Sequence, residues 1–192
     1  MIGITGQIGA GKSFVGHRLR KRKIRVIDAD LAVHQLYRDN LELRTAISRE
    51  FGAESLTETG VNRKFFADLI FKDVSARVRL ENLVYPVLTA YILRESPAFV
   101  EAALFENVPA LVEHLSEIWV VTAPAATRLQ RLTSNRKMNE DDARRRMELQ
   151  QAKDSVECWR RLYPGKVLRF INNDGDETAL DEILQRMLPA QQ

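Results

Sequence analysis

Met1-Ile2-Gly3-Ile4-Thr5 runs directly into Gly6-Gln7-Ile8-Gly9-Ala10-Gly11-Lys12-Ser13, an apolar segment of strand length followed by a loop of the form Gly-x4-Gly-Lys-Ser. Beyond it, Val15 and Leu19 stand four residues apart, on one face of a helix. Strand, glycine loop and helix together give the spacing a mechanism. Glycines let the backbone wrap closely around phosphate oxygens, and the helix N-terminus offers unpaired N–H groups and a positive dipole. Lys12 adds a mobile charge for the β and γ phosphates, and the Ser13 hydroxyl is the expected ligand of Mg2+. The loop therefore predicts ATP and Mg2+ as ligands, held by Gly6, Ile8, Gly9, Ala10, Gly11, Lys12, Ser13 and Phe14.

Outward from this loop, apolar runs of strand length alternate with longer stretches whose apolar residues fall at helical spacing, the pattern of an α/β protein with a parallel sheet. Five strands are expected, over Met1–Thr5, Arg25–Ile27, Val100–Phe105, Ile118–Thr122 and Val167–Ile171. Strands covered on both faces read as continuous apolar runs, as Ile118-Trp119-Val120-Val121 does; Glu101 is out of pattern in the third. Roughly seventy residues separate the second and third strands, far more than a crossover needs, which predicts a helical insertion over about residues 31–95. Its helices are expected over Leu31–Phe51, Arg63–Phe71 and Val74–Arg94, with Gly52 and Gly60 bracketing a turn. A further pair, about Pro124–Ser134 and Asn139–Cys158, meets at a polar junction.

The chain's 192 residues are 45% hydrophobic and 29% charged, which fits one soluble domain over residues 1–192. A formal charge of +3, from 29 basic and 26 acidic residues, is too small to argue for nucleic acid or an anionic membrane. No run approaches the ~18 apolar residues of a membrane span. Nothing resembles a secretory signal, so the fold is expected to begin at Met1. The single cysteine, Cys158, suits a reducing, cytoplasmic setting and is expected to be buried or half-buried.

A phosphate loop serves kinases, switches and ATPases alike, so the reaction class must come from other residues. The second strand ends in Asp28-Ala29-Asp30, at the strand edge where ligands of open α/β sheets bind. Two residues apart on extended chain, the two carboxylates point the same way, and either could take the proton of an attacking hydroxyl. One could instead cap the helix beginning near Leu31; the base is assigned to Asp30. Arg128, Arg131, Arg136, Lys137, Arg144, Arg145 and Arg146 cluster at the polar junction, where Glu140, Asp141, Asp142 and Glu148 alternate with them. Ion pairs along a solvated helix account for Arg144 and Arg145, whereas Arg136, at the tip, is the candidate to meet the triphosphate. Glu106 could orient substrate or a metal-bound water, or cap the helix that follows. Asn173 and Gly175 could contact adenine or form a plain turn. His34 and His114 lack metal-ligand spacing, and the Asn-Lys-x-Asp motif of a GTPase switch is missing.

In their order and spacing these residues resemble the dephospho-coenzyme A kinases. The phosphate loop, Asp28-Ala29-Asp30 with His34, Asn62-Arg63, Ile70-Phe71, Leu80-Glu81-Asn82, Leu104-Phe105-Glu106 closing the third strand, Arg146-x3-Gln150 and Ile171-Asn172-Asn173-Asp174-Gly175 carry the resemblance. It implies an α/β P-loop kinase fold with a five-stranded parallel sheet, a helical substrate-binding insertion and a lid over about residues 131–150. It also implies transfer of phosphate from ATP to the ribose 3′-hydroxyl of dephospho-coenzyme A, with Asp30 as general base, Lys12 stabilising the transferred group and Arg136 reaching in from the lid. Three features depart from the family pattern: Tyr85-Pro86 stands for His-Pro, Gln7 for glycine, and Trp159, Arg160, Arg161, Tyr163 and Pro164 replace the usual approach to the last strand.

Overall fold

Ile118, Trp119, Val120 and Val121 are all fully buried, as a strand covered on both faces requires. They lie in a computed structural model that describes residues 1–150 and 155–188. In chain order its elements are β1 (Ile2–Gly6), α1 (Lys12–Lys21), β2 (Val26–Asp28), α2 (Ala29–Asp39), α3 (Leu41–Phe51), the two-stranded pair β3 (Leu56–Thr57) and β4 (Gly60–Val61), α4 (Arg63–Lys72), α5 (Val74–Glu95) and β5 (Phe99–Glu101). There follow α6 (Pro109–Glu113), β6 (Glu117–Thr122), α7 (Ala125–Gln130) with a π-helical turn over Arg131–Asn135, α8 (Glu140–Glu148), α9 (Val156–Leu162), β7 (Val167–Asn172) and α10 (Glu177–Met187). The main sheet has five strands in the order β2-β5-β1-β6-β7, and β1 runs parallel to both neighbours, with Ile4 opposite Glu101 on one side and Trp119 on the other.

Two compact units divide the chain, Met1–Val26 with Pro97–Gln192, and Ile27–Ser96. In the first, Ile4, Val15, Leu19, Phe99, Trp119, Val121, Ile171, Leu180 and Leu184 form one apolar cluster, with Phe99 and Trp119 edge to face at 4.8 Å. This cluster fixes β1 and α1, and so fixes the loop between them. In the second, Leu80, Val84, Leu88 and Ile92 are buried at i+4 spacing along α5, while Leu83, Val87 and Tyr91 are only half-buried. Helix α5 continues through Pro86.

Several boundaries differ from those expected, each for a local reason. The helix expected over Leu31–Phe51 is two helices, because Asn40 leaves the helical region and its Oδ1 accepts the Leu43 N–H at 2.8 Å, capping α3. The third strand ends at Glu101, and Leu104-Phe105-Glu106 does not close it. Ala102 N–H makes a ladder bond to Ile4 at 3.0 Å, after which Phe105 turns back into the core against Gly3, whose missing side chain leaves room for the ring. Of the helix expected over Asn139–Cys158, α8 ends at Glu148 and α9 begins at Val156; residues 151–154 lie outside the described residues. β7 is an edge strand with only Ile171 buried, not a fully covered run. Cys158 is half-buried.

Candidate active site

The phosphate loop is held from beneath by residues far away in sequence. Asn173 is 3% exposed; its Nδ2 donates to Ala10 O at 2.8 Å, and its backbone N–H donates to Thr122 O at 2.8 Å. Arg131 braces the same point, donating from Nη2 to Asn173 O at 2.8 Å and from Nη1 to Ala10 O at 3.3 Å. Gly11, with φ at 95°, occupies the left-handed region, and a Cβ there would stand 2.2 Å from Asn173 Nδ2. Only glycine satisfies both conditions. Gly11 is also the N-cap of α1, and no side chain caps that helix, so its first N–H groups are left for an anion. Lys12 curls back along the loop, donating from Nζ to Gly6 O at 2.8 Å and to Gln7 O at 3.4 Å.

Gly9, Gly11, Ser13, Phe14, Arg136, Asn173 and Gly175, all expected at the site, line one cavity of about 490 Å³, together with Arg131, Asn135, Asp176 and Glu177. Gly6, Ile8, Ala10 and Lys12 belong to the same loop but do not line that cavity. Arg136 is exposed and follows the π-helical turn at the tip before α8. Arg144 and Arg145 stand in ion pairs with Glu140 at 2.6 Å and Asp142 at 2.7 Å, and Arg146 pairs with Asp142 at 2.9 Å. These exposed, solvent-screened pairs contribute little to stability. Arg128, expected in the same cluster, is instead buried, with Nε donating to Ala123 O at 3.2 Å.

The two neighbouring aspartates differ in setting. Asp28 is the N-cap of α2, its Oδ1 accepting the Leu31 N–H at 3.0 Å, while Asp30 lies in the first helical turn. They are therefore not side by side on extended chain, and the capping role belongs to Asp28. Asp30 lines a cavity of about 250 Å³ within the helical unit, with Tyr37, Arg77, Glu81 and Tyr85 among its neighbours. Burial pushes the Tyr37 phenol up to about 12, so it keeps its proton through the physiological range.

Glu101 is the residue that strand periodicity hides. It ends β5, is 4% exposed, and its Oε1 accepts the Ser13 hydroxyl at 2.6 Å. A hydroxyl and a carboxylate in contact beside a phosphate loop are hard oxygen donors of the type that suits Mg2+, so the residues present fit that ion. Its sequence signal was an out-of-pattern charge at a strand's carboxyl end. If Glu101 orients Ser13 toward a metal, Glu101→Gln should weaken the Mg2+ dependence of ATP binding by about 10- to 100-fold, with metal-free ATP binding unchanged. Calorimetric titration with and without Mg2+ checks this, and equal metal dependence in both proteins would remove the role.

Two further contacts involve residues that depart from the family pattern. Gln7, 4% exposed, donates from Nε2 to Gln150 O at 3.4 Å, and the Gln150 Oε1 accepts the Ile8 N–H at 2.8 Å. The segment after α8 is thereby fastened to the front of the loop. Tyr163 donates its hydroxyl to Glu106 Oε2 at 2.8 Å; burial, with the Glu106 carboxylate beside it, pushes the phenol well above its ordinary value. Glu106 thus neither caps α6 nor stands alone. Among the described residues no group of three or more His, Cys, Asp or Glu could hold a metal ion by itself, and no helix is long and apolar enough to cross a membrane.

Comparison with known proteins identifies the relatives of this chain. The dephospho-CoA kinase family profile matches residues 1–161. The dephospho-CoA kinase of Streptococcus pneumoniae is 33% identical over 158 residues, covering 78% of this chain and 79% of the relative. Among solved structures, a Thermus thermophilus protein superposes with a TM-score of 0.73 at 24% identity, covering 98% of this chain and 97% of its own. The dephospho-CoA kinase from Campylobacter jejuni does so with a TM-score of 0.65 at 23% identity, over 97% and 96% of the two chains. These two likenesses establish a shared fold, and the family match carries the rest: with the phosphate loop, its braces and the sheet order all in place, the chain belongs to the dephospho-CoA kinase family.

Proposed function

We propose that the protein transfers the γ-phosphoryl group of ATP to the ribose 3′-hydroxyl of dephospho-coenzyme A, giving coenzyme A and ADP. The observation that carries this is the cavity gathering the loop glycines, Ser13, Arg131, Arg136, Asn173 and Gly175 in a chain of this family. Phosphoryl transfer asks a protein mainly for positioning and for positive charge around the transferred group. Lys12 stabilises that group, Arg136 meets the triphosphate from a lid over about residues 131–150, and Asp30 receives the proton of the attacking hydroxyl. Asn173 and Gly175 form the adenine side of the site from the loop after β7, Gly175 through its backbone and Asn173 by shaping the wall, since its Nδ2, backbone N–H and carbonyl are engaged with Ala10, Thr122 and Arg131. Mg2+, held at Ser13 with Glu101 behind it, would neutralise charge on the β and γ phosphates when bound. Lid closure would exclude the water that competes with the acceptor. A small-molecule acceptor and a single cysteine fit a cytoplasmic enzyme.

The test is ADP release by purified protein with ATP, Mg2+ and a panel of hydroxyl acceptors. Stimulation by dephospho-coenzyme A above all others is expected. No stimulation by it, with another acceptor active, would make the protein a kinase of that other substrate.

A further inference from the structure

The cavity that contains Asp30 has a composition the proposed transfer does not by itself require. It is lined by two carboxylates, Asp30 and Glu81, against one guanidinium, Arg77, with the phenols of Tyr37 and Tyr85 and apolar walls between them. One excess negative charge repels phosphate and favours groups that donate hydrogen bonds. Hydroxyls are such groups. Arg77, Glu81 and Tyr85 follow at i, i+4 and i+8 along α5, so one helical face presents all three. Asp30 and Tyr37 come from α2. The bland role for Glu81 is an ion pair with Arg77 one turn away. That pair is long, at 3.9 Å, and the Arg77 side chain is 53% exposed, so it claims little of the carboxylate.

We propose that Glu81 is a specificity residue that accepts a hydrogen bond from the ribose 2′-hydroxyl, next to the 3′-hydroxyl that Asp30 activates. A ribose offers two adjacent hydroxyls, and the cavity offers two carboxylates. With one hydroxyl held by Glu81 and the other at Asp30, the sugar is fixed in one register, and phosphorylation is directed to one oxygen. Only the hydroxyl at Asp30 loses its proton in the transfer; Glu81 binds and does not react. Tyr37, protonated, supplies a donor to the same sugar or its ring oxygen. This assignment rests on the acceptor being the ribose of dephospho-coenzyme A.

The experiment compares dephospho-coenzyme A with its 2′-deoxy analogue, measuring kcat and KM separately for wild type, Glu81→Gln and Arg77→Ala. Wild type should favour the ribose acceptor by about 10- to 100-fold in kcat/KM, the effect of one hydrogen bond to a charged group, mostly through KM. Glu81→Gln should lose most of that preference by raising KM for the ribose acceptor alone, with kcat nearly unchanged, while Arg77→Ala should keep the preference. Equal use of both acceptors by wild type would overturn the proposal, and that comparison stands even if a variant fails to fold. So would a Glu81→Gln protein that retains the preference, or one that loses activity equally with both acceptors. Failure of wild type to use dephospho-coenzyme A, with another acceptor active, would instead overturn the acceptor itself and this assignment with it.

Discussion

Lys12→Ala protein is expected to retain its fold and lose about 10³-fold or more of its turnover, the scale on which a single cation at the transferring phosphoryl group acts. The reason lies in the loop's construction. Lys12 is tethered to Gly6 O and Gln7 O by hydrogen bonds that a phosphate can replace, so its charge is already positioned before nucleotide arrives. Its removal touches neither Asn173 nor Arg131, the residues that hold the loop's shape. A melting temperature close to wild type together with collapsed ADP release is the expected pair of results. Turnover within tenfold of wild type would mean that the cation is supplied from elsewhere, Arg136 being the first candidate.

Asp30→Asn should lower kcat by about 10²- to 10⁴-fold, the range for losing a general base, while ATP binds as before. The change is nearly isosteric, and Asp28, not Asp30, carries the helix cap, so α2 should start as it does now. ATP affinity measured by titration separates loss of the base from damage to the nucleotide site. Near-normal kcat would remove the base from Asp30. A variant that melts early would instead show that its interactions in the helical unit are structural.

What the sequence made legible is what local rules govern. Gly6 to Ser13 announced a phosphate site because glycine, lysine and serine at that spacing have few other uses, and Ile118 to Val121 announced a covered strand because no polar residue interrupts it. Asn40 could have been read as a cap between two helices, with Leu43 three residues on; the unbroken apolar spacing on either side masked it. The end of β5 was not legible, since Ala102 to Phe105 is as apolar as a strand and only the space above Gly3 draws Phe105 out of line. Glu101 was visible as an anomaly but not as a partner of Ser13, because a contact across 88 positions has no local signature. Among the departures from the family pattern, Gln7 and Tyr163 each hold a partner, Gln150 and Glu106.

The braces beneath the loop set an order of assembly. Ala10 is synthesised well before the carboxamide that fixes its carbonyl, which arrives with Asn173, 163 positions later. Domains generally fold as units while the chain is made from its N-terminus, so the loop takes its working shape only after Asn173 has been made. A nascent chain halted before β7 would carry the whole Gly-x4-Gly-Lys-Ser motif and still lack its nucleotide site. Competence to bind ATP would then follow synthesis of β7, and ligand stabilisation would begin only once Asn173 is in place.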